Sequence, residues 1–285
     1  MHACARQSTP RDKTMPISKL LLAVVPALAL LPATVRTNRG PAPLRTATLE
    51  TVVEPPEEPR NTYWCVRHGQ STANVENIIS SNPLIGSTKH ELTALGKEQA
   101  HVAGADLWAN LSELEVPLED VVVYSSNFTR ARETAQIAAY EMQRRAQIAA
   151  GDWEAPPLLQ IGLLSDLRER DFGSLDGLSA GNYDNVWPRD MASPFDGTDG
   201  VEPVADVCQR LSNMVDLLEK RHSGKQVILT AHADVIQIFQ TWFAGCDVRA
   251  FSSYRFANGE VRRCDRAGEC LPVPAPMQSQ AAAAL

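Results

Sequence analysis

Tyr63-Trp64-Cys65-Val66-Arg67-His68-Gly69-Gln70-Ser71-Thr72-Ala73-Asn74 is the stretch on which the reading of this chain turns. An apolar, β-prone run breaks off in Arg67-His68-Gly69. That puts an imidazole and a guanidinium where a strand gives way to a loop, at the sheet edge where open α/β folds bind ligands. Gly69 permits a sharp turn or the close approach of a ligand, and Ser71, Thr72 and Asn74 add short hydrogen-bonding side chains and backbone N–H groups suited to an anion. A phosphate fits that description.

The same arrangement recurs downstream. Residues 120–126 read as a buried parallel strand that delivers its end into a helix running to about 149, so Arg130 and Arg132 fall near a helix start beside a strand end. Residues 158–164 read as a short strand, followed by the charged run from Ser165 to Gly173 that contains Glu169. Residues 226–231 read as another buried strand, ending in His232-Ala233-Asp234, with a helix through Phe243. Between these lie amphipathic helices over about 94–111, with Thr93 as N-cap, and over 204–222. Residues 173–203 are rich in Gly, Asp, Ser and Pro and are expected to form a long loop with at most short helices, which in a compact domain marks a lid or binding segment. Strands that alternate with helices and read as unbroken apolar runs predict an α/β domain with a mostly parallel sheet covered on both faces.

The chain has 285 residues, 44% of them apolar, which excludes disorder throughout and allows a sizeable core. Residues 1–49 hold seven basic residues against one acid, a balance of +6; with a net charge of −7, residues 50–285 carry −13. So acidic a body is a poor nucleic-acid binder. Lys19 precedes twelve apolar residues broken by Pro26, too short for a comfortable membrane span and right for a signal-peptide core. Residues 33–48 lack acids and are rich in Arg, Thr, Ala and Pro, the composition of a transit peptide. Residues 1–60 are therefore expected to be a targeting presequence and a Pro/Glu-rich linker, with a plastid as the destination and secretion or mitochondrial import as alternatives. The catalytic domain is expected over 61–265, with a disordered tail over 266–285. Six cysteines without Cys-x-x-Cys spacing do not suggest zinc; Cys264 and Cys270 could pair, free thiols being the simpler reading.

Arg67-His68, Arg130, Glu169 and His232 all fall just after strands, and parallel strands end on one shared edge, so the four sites can converge on one pocket. Guanidinium forks bind phosphate oxygens bidentately, and imidazole adds hydrogen bonds. A neutral imidazole can also attack phosphorus, and a carboxyl group kept protonated can supply the leaving alcohol's proton and then serve as base to water. Arg132 points to a different helix face and is read as structural; His2, His90, His101 and His222 have no comparable setting.

Five motifs carry a resemblance: Arg67-His68-Gly69 with Asn74, Leu92-Thr93-x-x-Gly96-x-x-Gln99-Ala100, Ser125-Ser126-x-x-x-Arg130-Ala131-x-x-Thr134-Ala135, Leu167-x-Glu169-x-x-Phe172-Gly173, and the strand ending at His232. In this order, across most of residues 62–240, the chain resembles the histidine phosphatase superfamily, in its phosphoglycerate mutase-like branch. The resemblance implies a single three-layer α/β/α sandwich with no metal or other cofactor. It further implies His68 as the nucleophile that becomes phosphohistidine, and Glu169 as proton donor. Arg67, Arg130 and His232 would form the phosphate pocket, with Asn74 as a further phosphate or substrate contact. The partner expected is a small-molecule phosphomonoester, with no stable membrane span in the mature chain; the oligomeric state is not legible.

One position departs from the pattern. The family usually has Gly after the second histidine, where this chain has Ala233 and then Asp234. Alanine serves if only a backbone N–H is needed, and costs roughly 1 kcal/mol or more if the position requires positive φ. Asp234 is an alternative proton donor, as where His-Asp occurs in the acid-phosphatase branch; Glu169 has the matching motif. Mutases of this family carry a long insertion between the acid and the second histidine, whereas here 63 residues separate them, which favours hydrolysis over mutase transfer. A catalytically weak phospho-ligand-binding relative is the third reading, supported only by Ala233.

Overall fold

In the computed structural model, which describes residues 51–151 and 159–265, twelve regular elements follow one another. They are β1 (Thr62–Arg67), α1 (Thr72–Val75), α2 (Pro83–Gly86), α3 (Ala94–Glu113), β2 (Val121–Ser125), α4 (Thr129–Ala150), β3 (Ile161–Leu163), α5 (Tyr183–Ala192), α6 (Val204–Arg221), β4 (Gln226–Ala231), α7 (Ala233–Phe243) and β5 (Val261–Cys264). The sheet has the order β3-β2-β4-β1-β5; its first four strands are parallel, and β5 runs antiparallel to β1.

The strands are apolar along their length because both faces are covered. Tyr63 and Cys65 of β1, with Val227 and Leu229 of β4, pack against α6 and α7 through Leu211, Val215, Ile238 and Phe239. Trp64, Val66 and Ile228 point the other way, onto Ala103 and Leu107 of α3 and Ala135 and Ala139 of α4. The period of two along each strand thus divides the core into two layers, and the sheet is the middle of an α/β/α sandwich. No helix among the described residues is long and apolar enough to cross a membrane.

Four features differ from the sequence reading or go beyond it. Strand β5 was not anticipated, because two of its four residues are arginines and an edge strand with one partner needs no apolar run. Within 173–203, α5 is a ten-residue helix that contains Pro188. The linker stays attached to the domain: Val52 and Val53 pack against the core, and the Trp242 indole N–H donates to the Val53 carbonyl at 2.7 Å. Gly69 has a different purpose from a sharp turn. Its φ is not positive, and a Cβ there would strike the backbone of Gly96 at the start of α3.

The expected presequence, the first residue of the strand expected at 158, Cys270 and the C-terminal tail lie outside the described residues. Among the described residues, Cys65, Cys208 and Cys264 are free thiols.

Candidate active site

The hydrogen-bond ladder of the parallel sheet continues one residue past the strand ends. His68 N–H donates to Ala231 O at 3.0 Å, and Ser126 N–H donates to Thr230 O at 2.9 Å. His68, Ser126 and His232 are thereby set side by side on one edge. The two imidazoles meet edge to face, 5.2 Å between centroids at 62°, and Phe128 closes on His232 from the other side at 5.0 Å.

Two bonds set the tautomer of His68. Its Nδ1 lies 2.7 Å from Gly69 O, which can only accept, so Nδ1 carries the proton. Its Nε2 accepts from Arg130 Nε at 3.1 Å and so holds the lone pair. Burial, then Arg130 and Arg67, press the pKa of His68 well below the usual histidine value, and the ring is neutral at pH 7. His232 is likewise pushed well down by burial and by Arg130. Its Nε2 pairs with Ser126 Oγ at 2.9 Å, and its Nδ1 is buried with no hydrogen-bond partner among the described residues.

Arg130 enters from the first turn of α4 and is anchored by Ser80, whose carbonyl accepts from Nη2 at 2.8 Å and whose Oγ accepts from Nη1 at 3.3 Å. Burial lowers its pKa to about 10, which leaves it charged at pH 7. Arg67, also lowered by burial, donates Nη1 to Phe256 O at 2.7 Å while its buried Nε has no partner among the described residues. Two desolvated cations and unpartnered N–H groups on one edge favour a dianion. The starts of α4 and α7, which no side chain caps, add their positive helix ends.

Glu169 stands opposite, Oε2 3.9 Å from His232 Nδ1 and Oε1 accepting from the Arg170 N–H at 3.0 Å. Its flanking arginines do not neutralise it: Arg168 turns to Glu202 at 3.3 Å, and Arg170 forks onto Asp190 with both bonds at 2.7 Å. Burial first and the nearby Asp234 charge second raise the Glu169 pKa to about 7, so the carboxyl can both give and take a proton near neutrality. Asp234 itself is occupied, accepting from Arg170 Nη1 and from the Trp187 indole N–H, each at 3.4 Å. Ala233 is the first residue of α7 and does not have positive φ, so nothing here requires glycine.

Asn74 lies at the exposed rim. Its Oδ1 accepts from Ser71 N–H at 3.0 Å in the capping box that starts α1, and Asn258 Nδ2 lies 3.5 Å from that oxygen while donating to His68 O at 3.0 Å. The structure therefore brings His68, Arg67, Arg130, Glu169 and His232 together, with Asn74 one layer out. Sequence reasoning missed Ser80 and Asn258, which come from loops and carry no local signal. Ser126 was part of a motif but had been given no role.

The family model for the histidine phosphatase superfamily, branch 1, matches residues 63–273. A 2,3-bisphosphoglycerate-dependent phosphoglycerate mutase of Bartonella bacilliformis is 31% identical over 132 residues, 46% of this chain and 53% of that protein. A metal-independent phosphoserine phosphatase of Arabidopsis thaliana is 28% identical over 178 residues, 60% of this chain and 64% of that protein. The matches thus span less than two thirds of either relative's length. Among solved structures, mycobacterial glucosyl-3-phosphoglycerate phosphatase superposes with a TM-score of 0.54 at 22% identity, covering 71% of this chain and 88% of that one, a likeness of fold.

Proposed function

This chain belongs to the histidine phosphatase superfamily, branch 1, and from that premise we propose that it is a phosphomonoester phosphatase working through a phosphohistidine on His68. The observation that carries the proposal is the pair of opposed hydrogen bonds on the His68 ring, which keeps the proton on Nδ1 and the lone pair on a neutral Nε2 that Arg130 holds until a phosphoryl oxygen takes over its Nε–H.

In the first half-reaction Nε2 attacks phosphorus, the bond from phosphorus to the ester oxygen breaks, and the Glu169 carboxyl gives its proton to the departing alkoxide. Arg67, Arg130 and His232 hold the phosphoryl oxygens as charge shifts onto them. In the second half-reaction the Glu169 carboxylate takes a proton from water as its oxygen bonds to phosphorus. The P–N bond breaks, and inorganic phosphate leaves with His68 neutral again. Asn74 fits as a rim contact through its amide nitrogen, because its oxygen holds the α1 cap.

The mutase relative favours a second reading, in which the phosphoryl group passes to another hydroxyl of a sugar acid. The 63-residue spacing between Glu169 and His232 favours hydrolysis. The weak-binder reading loses its one support, since Ala233 sits unstrained in a helix. Phosphate release from a panel of sugar phosphates, phosphoglycerates and phosphoserine is the test, with an acid-labile label trapped on His68. Isomerisation without release would overturn the hydrolase in favour of the mutase, and no label with tight ligand binding would favour the binder.

A further inference from the structure

Ser126 follows β2 directly, and its hydroxyl is held from two sides. The Phe128 N–H donates to Oγ at 3.2 Å, and His232 Nε2 lies 2.9 Å from the same oxygen. Ser126 and His232 are both fully buried, and the Phe128 ring stands edge-on to the imidazole, 5.0 Å between centroids at 68°. Main-chain bonds leave neither residue much freedom. The Ser126 N–H donates to Thr230 O at 2.9 Å, and His232 O accepts from the Ile236 N–H at 3.0 Å in the first turn of α7.

A serine hydroxyl has one proton to give and two lone pairs, and a neutral imidazole has one N–H and one bare nitrogen. Two arrangements of the pair follow. If His232 Nε2–H donated to Ser126, Oγ would accept from both Phe128 and His232. Its own proton would then have no acceptor among the described residues, and His232 Nδ1 would turn a bare lone pair toward Glu169 Oε2, 3.9 Å away. If instead Ser126 O–H donates to Nε2, the hydroxyl proton and both ends of that bond are satisfied, and the ring proton sits on Nδ1. One buried group is then left over, the Nδ1–H, at the atom that has no hydrogen-bond partner among the described residues. Buried polar groups are paired in nearly every case, so the arrangement with one orphan prevails over the one with two. Burial and the Arg130 charge keep a second proton off the ring at pH 7.

We infer that Ser126 is a positioning residue of this site: by donating to Nε2 it keeps the His232 proton on Nδ1, from which the neutral ring donates to a phosphoryl oxygen. This rests on the phosphatase reading. The two histidines then hold their protons on the same nitrogen for opposite purposes. Gly69 O takes the Nδ1 proton of His68, so that Nε2 keeps a lone pair for phosphorus; Ser126 leaves the Nδ1–H of His232 free for an oxygen of the same group. An N–H aimed at the phosphoryl oxygens strengthens its hold as their charge grows, whereas a bare nitrogen there would repel them.

NMR of the full chain with isotope-labelled histidine reads the tautomer from the two ring-nitrogen shifts, the His232 signals being those lost in His232→Asn. Wild type should show a protonated Nδ1 and a bare Nε2; the reverse overturns the inference without any variant of Ser126 having to fold. Ser126→Ala should move the proton to Nε2 or mix the two forms. It should also weaken inorganic phosphate binding ten-fold or more and lower kcat/KM on an alkyl and an aryl phosphate alike. Ser126→Thr keeps the hydroxyl and should restore the Nδ1–H form, with phosphate affinity within three-fold of wild type. An unchanged Nδ1–H form in Ser126→Ala overturns Ser126 as its cause, and a moved proton with unchanged phosphate affinity overturns the donation to phosphate. If wild type releases no phosphate from any ester, the phosphatase reading fails, and the tautomer together with phosphate binding decides Ser126.

Discussion

At the scale of single residues, the site separates two jobs that one imidazole could not do together. His68 is kept neutral with its lone pair on Nε2, while the proton needed by the leaving group is stored on Glu169, whose pKa near 7 results from burial and the Asp234 charge. Glu169→Gln should therefore slow alkyl phosphates by about 10²–10⁴-fold and activated aryl phosphates far less, because only the former need the proton. Equal losses in kcat/KM on both would remove Glu169 from the role. Ala233 bears a second residue-scale prediction. As the first helical residue with ordinary φ, it gains nothing from glycine, and Ala233→Gly should change phosphate release less than about three-fold and cost under about 1 kcal/mol in urea unfolding. A large gain in activity would show that a Cβ at this position obstructs the substrate.

At the scale of elements, α5 is held by partners distant in sequence. Arg170 is fully buried, and its charge is balanced by Asp190 at 2.7 Å and Asp234 at 3.4 Å. Asp190→Ala would leave a buried guanidinium short of a partner, at an expected cost of about 3–5 kcal/mol. Denaturant unfolding of Asp190→Ala beside the double variant Arg170→Met/Asp190→Leu is the check: the double variant should recover most of the loss, and equal instability of the two would mean that packing, and not charge, holds α5. The same dependence explains why α5 was not legible in the sequence. Pro188 and the polar residues around it read as loop, and the bonds that stabilise the helix come from residues 170 and 234.

At the scale of the whole molecule, the charges gathered at the sheet edge make stability depend on pH in two opposite senses. His68 and His232 have folded-state pKa values below their unfolded one, so the unfolded chain binds more protons as pH falls below about 6.5, and stability drops toward acid. Glu169 is raised from 4.5 to about 7, so the native state binds the extra proton between those values, and stability is lost as pH rises through that window. Only a difference isolates the carboxyl. Relative to wild type, Glu169→Gln should gain stability steadily from pH 4.5 to about 7 and stay level above it. A difference that is flat across that range would show that the carboxyl is not held protonated.

The sequence by itself determined the order of the sandwich's main strands and helices and the identity of the five side chains that meet. β1, β4 and α7 lie where local pattern put them, because an interior parallel strand must be apolar on both faces and because parallel strands release their next residues on one common edge. What only the tertiary structure decided depends on partners far along the chain. The tautomer of His68 rests on Arg130, 62 residues away, and Gly69 is needed because α3 presses its Gly96 backbone against it. The edge strand β5 exists through its pairing with β1, and the rim position of Asn74 follows from a cap that leaves its oxygen no freedom. Residue type limits what chemistry is possible; which atom carries the proton, and which side chain faces the phosphate, is set by packing between segments that no local pattern connects.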